Sequence, residues 1–335
     1  MRLAWLSALP LLLLGGLARG ETVLRLGSIS PEGSRTMRDL RSLAKEIERL
    51  SGGELRIRWF GGGRLGDEKA MATDLLAKDG RLDGGLLSDV GLQHVAPEMR
   101  TWAYPGMFQD FDEVDHVESA YRADYGEVFQ RAGLVFLGWA HIGFKYVFSQ
   151  APIRNLAELR QYPTWFWSDD EGGRKSAEML GLKIVHSSLA ELVADLPKGK
   201  IQAWVFPPMG VLDFGLSGHA RYVSQLRYSF VTAGLVLRQD AFNALPESHR
   251  RLVQAVFHKW ERRLMKAWRE ENERALRVLG ISGVVNMPVT DQEREEFFQA
   301  AGAQRSGFAR AWGIEPMMQR FTDDLQALRD LRRRR

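Results

Sequence analysis

Apolar and polar residues alternate from the start of the chain beyond residue 20. Residues 23–29 (VLRLGSI) have the two-residue period of a strand, and Met37, Leu40, Ala44, Ile47 and Leu50 then recur at helical spacing. Ser51-Gly52-Gly53 ends that helix, residues 54–60 (ELRIRWF) read as a second strand, 67–78 as a helix and 82–87 as a third strand. This β-α-β-α-β opening predicts a parallel sheet with helices on its faces. Similar alternation resumes at residues 134–137, 145–148 and 155–160, and continues through 164–167, a helix near 172–180, 183–185, 188–196 and 203–206. From Pro246 an apolar stripe of Val253, Val256, Phe257, Trp260, Leu264, Trp268, Ala275 and Leu279 runs to Gly280, a glycine suited to a C-cap. A helix of about 34 residues would be roughly 50 Å long, enough to brace two lobes. Residues 290–331 read as amphipathic helices packed on the outside.

Two aromatic segments stand out. Thr164-Trp165-Phe166-Trp167 is echoed by Ala203-Trp204-Val205-Phe206. Consecutive strand residues point to opposite faces, so both faces need apolar company or one lines a cleft. Each segment runs into loop formers, Ser168-Asp169-Asp170 and Pro207-Pro208, and strand ends are where α/β proteins hold ligands. Alternation puts Trp165 and Trp167 on one face and Phe166 on the other. Residues 102–108 (WAYPGMF) and Trp139, Phe144, Tyr146 and Phe148 add further aromatics.

Residues 1–20 read as a cleaved leader: Arg2, an apolar run, then small residues up to Gly20. The apolar run is too short for a lasting transmembrane helix. Removing Arg2 and Arg19 leaves 44 basic residues of the 46, against 42 acidic ones, so the formal charge falls from +4 to +2. That balance argues against nucleic acid as a partner, and Arg332-Arg333-Arg334-Arg335 reads as a solvated helix end. The chain has no cysteine, which excludes disulfides, thiolate catalysis and a lipidated anchor. A periplasmic protein that is not a lipoprotein is the expectation, with about 315 mature residues in two lobes.

Little argues for catalysis. Gly61-Gly62-Gly63-Arg64-Leu65-Gly66 satisfies G-x-G-x-x-G, yet it follows a strand carrying Glu54, Arg56 and Arg58, unlike the apolar strand of a dinucleotide site. A tight turn opening a helix, with Asp67 and Glu68 at its positive end, is the better reading. The seven histidines form no metal-binding spacing, and no G-x-S-x-G elbow occurs. Asp110, Asp112, Glu113 and Asp115 read as a solvated loop, and Asp169, Asp170 and Glu171 as a helix start. No cofactor, no metal and no enzymatic activity are expected.

With these residues placed, the chain resembles the periplasmic solute-binding proteins of TRAP (tripartite ATP-independent periplasmic) transporters, of the dicarboxylate-binding-protein-like family. The resemblance is carried by LRLGSISPEGSRTMRDLRSLAKEIERLSGGELRIRWFGGGRLGDEKAM, KDGRLDGG, FLGWAHIGFKYVFSQAPIRNLAELR, LGLKIVHSSLAELVADLPKGKIQAW and ALPESHRRLVQAV. It implies an α/β, two-lobed periplasmic binding protein fold (type II-like) with hinge strands and a long bracing helix. Residues 21–144 plus about 232–280 would form lobe I, and 145–231 plus about 281–335 lobe II with the C-terminal helices. It also implies a small-molecule ligand closed between the lobes, delivery to the TRAP membrane subunits, and a monomer.

The departure from the family pattern lies in the aromatic segment. Members of the family carry an arginine, in a K-I-R-like pattern, that grips a substrate carboxylate; here that position falls at or beside Trp165. The second-lobe pattern G-x-x-D-G becomes Gly199-Lys200-Ile201-Gln202-Ala203. The expected ligand is therefore largely apolar, held by Trp165, Trp167, Trp204 and Phe206 from the strand ends. Tyr104, Phe108 and Phe144 would face them, with Ser30 and Arg174 completing the set. Arg154, Arg160 or Arg174 could restore an organic-acid site from nearby, and indole rings also suit a cation. Signalling, carriage of a lipid-like molecule, and a hydrolase using Asp169 or Asp170 are the alternatives.

Overall fold

The computed structural model describes residues 21–77 and 79–334, so the segment expected to be a leader, residues 1–20, lies outside the described residues. Among the described residues, twelve strands form two sheets. In chain order they are β1 (Thr22–Gly27), β2 (Leu55–Phe60), β3 (Gly84–Ser88), β4 (Leu134–Trp139), β5 (Gly143–Ser149), β6 (Pro163–Trp167), β7 (Lys183–Ser187), β8 (Ala203–Phe206), β9 (Tyr222–Ser224), β10 (Ser229–Val231), β11 (Ala233–Arg238) and β12 (Val285–Met287). The first sheet has the order β2-β1-β3-β11-β4, with β1 parallel to β2 and β3, and β11 antiparallel to both its neighbours. The second has the order β12-β9-β5-β8-β6-β7, and β10 also pairs with β5.

The chain crosses between the sheets twice by strand, from β4 to β5 and from β10 to β11. The crossings lie side by side: Ala140 N donates to Ala233 O at 2.8 Å and Ile142 N to Val231 O at 3.1 Å. Between them the fully buried His141 has Nδ1 2.8 Å from Thr232 Oγ1. Burial pushes the His141 imidazole down, against the pull of Glu118, so it favours its neutral form.

A third link is the 35-residue helix Glu247–Ile281, whose apolar stripe was readable in the sequence. Val253, Phe257, Trp260, Leu264 and Trp268 join the core of the first sheet, and Leu279 joins a core of the second. Asn272, buried midway, accepts from Met209 N at 2.9 Å. The helix therefore ties the lobes together by packing as well as by hydrogen bonding.

The acidic run at 110–115 differs from its expectation as a loop. Asp110 caps the helix Phe111–Arg131 by accepting from Glu113 N, and Asp112 and Glu113 occupy its positive first turn. Glu113 is fully buried against Arg329, which donates from Nε at 2.7 Å. Arg329 belongs to Glu315–Arg333, the last of the two outer C-terminal helices, and it fixes that helix on Phe111–Arg131. Among the described residues no helix is long and apolar enough to cross a membrane.

Candidate functional site

The two aromatic segments are neighbours in the second sheet. β6 runs parallel to both β7 and β8, with Thr164 opposite Ala203 and Trp165 opposite Trp204. Their C-terminal ends open on a cavity of about 110 Å³ between the sheets. Segments following β1 and β3 close it from the first lobe, and the crossing strands form its floor. Trp165, Phe166 and Trp167 all line it, because a strand that ends at a cleft flanks it with residues of both faces.

Of the expected ligand contacts, Trp165, Trp167, Phe206 and Ser30 line this cavity. Trp165 is 2% exposed and donates from Nε1 to Ser187 Oγ at 3.1 Å, which fixes its ring beside Phe206. The others lie elsewhere. Trp204 is fully buried and stacks on Phe148, centroids 6.2 Å apart, inside the second-lobe core. Phe144 packs on Phe111 and Phe230, and Phe108 on Trp102 and Phe230. Tyr104 lines a small adjoining chamber and donates its hydroxyl to Ala301 O at 2.7 Å. Arg174 is partly exposed and pairs with Glu178 on its own helix, Glu171–Met179.

The polar floor was not visible in the sequence. Asp89, 1% exposed, lies with Oδ2 3.5 Å from Lys145 Nζ, an ion-pair distance, and neither carboxylate oxygen receives a hydrogen bond. Asp170 Oδ2 is 3.8 Å from the same ammonium. Burial pushes Asp89 up to about 6, opposed by Lys145. For Lys145, burial is outweighed by Asp89 and Asp170, and its ammonium is held above the usual range. Glu68 is buried too, taking hydrogen bonds from Ser88 N, Ser88 Oγ and Gly91 N, and desolvation raises it to about 7. One signal was available: Lys145 is the lone charge in an otherwise uncharged strand, GFKYVFS.

A polar latch joins the lobes along one edge. Gln93 donates from Nε2 to Asp170 Oδ1 at 3.1 Å and accepts from Gly172 N at 2.9 Å. His94 Nε2 lies 2.9 Å from Asp169 O, and Lys69 Nζ donates to Glu171 Oε1 at 3.0 Å. Asp170 also caps its helix by accepting from Gly173 N at 2.7 Å. Gly172 permits the approach: a Cβ there would stand 3.0 Å from Gln93 Oε1 and 3.1 Å from Arg100 Cγ.

A hinged pair of lobes with a cleft between strand ends is a binding-protein geometry, and comparison with known proteins gives it a family. Residues 26–310 match the family model described as bacterial extracellular solute-binding protein, family 7 (DctP). The chain belongs to this family. By kind it is therefore a bacterial extracellular solute-binding protein. Among solved structures, this family 7 protein is similar to a TRAP periplasmic solute-binding protein of Haemophilus influenzae with bound L-gulonate. The TM-score is 0.82 at 17% identity, covering 90% of this chain and 99% of that one. It is also similar to DctP7 of Bordetella pertussis, an extracytoplasmic receptor binding pyroglutamic acid, with TM-score 0.82, 17% identity, and 91% and 99% coverage. The uncharacterized protein YiiZ of Salmonella typhimurium is 24% identical over 283 residues, 82% of this chain and 83% of that protein.

Among the described residues, none that lines the cavity of this family 7 protein is an arginine. None of its His, Asp or Glu residues, again among those described, group to hold a metal ion.

Proposed function

We propose that the protein captures a small, largely apolar organic molecule in the cleft between its lobes. It would do so in the periplasm and release the molecule to the membrane subunits of a TRAP importer. In this reading residues 21–144 with about 232–280 form one lobe and 145–231 with about 281–335 the other, and a monomer is the working form. The observation that carries this reading is the composition of the cavity wall. Trp165, at or beside the position where the family pattern puts a carboxylate-gripping arginine, lines it with Phe166, Trp167 and Phe206, and aliphatic residues such as Ile29, Leu86, Val90 and Ile142 stand beside these rings. A flat apolar body loses its hydration against these rings, gaining roughly 25 cal/mol per Å² of apolar surface removed from water. Closure then follows as a population shift, since the molecule touches both lobes.

A second reading, an organic-acid receptor, has Lys145 in its favour, because its side chain is 12% exposed at the cavity floor. Arg174 does not supply the missing grip, being paired with Glu178 outside the lining. One titration separates the two readings. The neutral aromatic probe 2-phenylethanol is expected to change the tryptophan fluorescence of the wild type but not of Trp165→Ala, and L-gulonate to change neither. A saturating response to L-gulonate, with none to 2-phenylethanol, would sink the apolar reading.

A further inference from the structure

We propose that the cleft recognises a cationic nitrogen, an ammonium carried on the apolar body, through the carboxylate of Asp213. The inference rests on the reading above that the cleft holds the ligand, and it names the chemistry of one end of that ligand.

The charges lining the cavity are unequal. Lys145 is the one cation among the described lining residues, against Glu68, Asp89, Asp170 and Asp213. Lys145 is already balanced by Asp89 at 3.5 Å and Asp170 at 3.8 Å. Glu68 is satisfied by the Ser88 and Gly91 donors. Asp213 is the carboxylate left over. It ends the short helix Pro208–Asp213, is half-buried, and makes no hydrogen bond or ion pair among the described residues. The charges that act on it are Glu271, which repels it, and the exposed Arg38, which attracts it from a distance while donating its hydrogen bond to Gly33 O.

Its surroundings suit a cation. Phe206 and Phe214 flank this part of the cavity, their rings edge to face with centroids 6.0 Å apart, and a ring face attracts an ammonium. Two further groups at the cavity have hydrogen-bonding capacity left over, Asp89 despite its ion pair with Lys145. Asp89, 1% exposed, has both oxygens without a hydrogen bond, and Tyr228, 2% exposed, has a hydroxyl without one. The Asp89 oxygens are acceptors only, so a ligand bearing N–H groups can pair with them whereas an anion cannot; the Tyr228 hydroxyl can donate or accept and serves either.

Isothermal titration calorimetry with three probes of one apolar body tests this: 2-phenylethylammonium, 2-phenylethanol and 3-phenylpropionate. In the wild type the ammonium should bind at least about tenfold more tightly than the alcohol, and the propionate most weakly. Asp213→Asn should weaken the ammonium by about tenfold or more and leave the alcohol within about twofold. Propionate binding as tightly as the ammonium overturns the inference, and so does an Asp213→Asn variant that holds the ammonium unchanged. The wild-type ranking needs no variant to fold. An alcohol that binds with no charge preference overturns this inference alone, whereas three silent probes overturn the cleft reading with it.

Discussion

Gln93 and Gly172 are joined by a hydrogen bond of 2.9 Å that crosses from one lobe to the other, and the same Gln93 side chain donates to Asp170. A glutamine amide that both gives and takes in this way can hold two surfaces in one register. It leaves when the lobes part, since its partners belong to the helix start on the far side.

Gln93→Ala should therefore loosen the closed form without damaging either lobe. Two lost hydrogen bonds, each worth about 1 kcal/mol net, shift the closed population by roughly tenfold or more. Small-angle scattering of the ligand-free variant should give a larger radius of gyration than the wild type, with an unchanged melting temperature. An unchanged radius would mean that the latch does not hold the lobes.

The buried acids make stability depend on pH in a fixed direction. Asp89 and Glu68 are raised to about 6 and about 7, so the native state binds their protons more tightly than the unfolded chain does. Between the ordinary carboxylate range and those values the native state carries more protons, and stability falls as pH rises. The contribution is fully present only below the ordinary carboxylate pKa values of about 4 and is lost as pH rises through about 6 to 7, on the order of 2–3 kcal/mol per group. Urea unfolding of the wild type and Glu68→Gln across that range should show the variant gaining relative stability as pH rises. A difference that stays flat would contradict the burial argument.

Gly143 opens β5 just after the crossing, with φ +133, and a Cβ there would stand 2.5 Å from Asn272 Nδ2. Gly143→Ala should displace Asn272 from the Met209 amide it accepts and strain the backbone, destabilising the fold by about 2–3 kcal/mol. Thermal denaturation measures this. Asn272→Ala should lose part of the same energy, and the double variant should cost less than the two losses added.

The parts of the fold visible in the sequence are those with a local period. The opening β-α-β-α-β, the long helix and the two C-terminal helices each bury a continuous stripe, and a stripe shows in the order of residues. The helix Phe111–Arg131 escaped because its acidic first turn looks like a surface loop, although Asp110 is a helix cap and Glu113 is buried against Arg329. Strands β9, β10 and β12 have three residues each, too few to show alternation. In the site, the rings of Trp165, Trp167 and Phe206 were legible because an aromatic run at a strand end needs a destination. Trp204 shares that pattern and yet turns into the core. The Asp89–Lys145 pair and Gln93 depend on contacts between distant segments, which no local pattern encodes.

The central claim is that the cleft holds a small molecule with an apolar body rather than a sugar acid. Native mass spectrometry of the protein taken from the periplasm of its own host tests it most directly. The account predicts one equivalent of an aromatic or aliphatic compound released on denaturation, absent from Trp165→Ala prepared in the same way. Release of a polyhydroxylated acid, retained by Trp165→Ala, would contradict it.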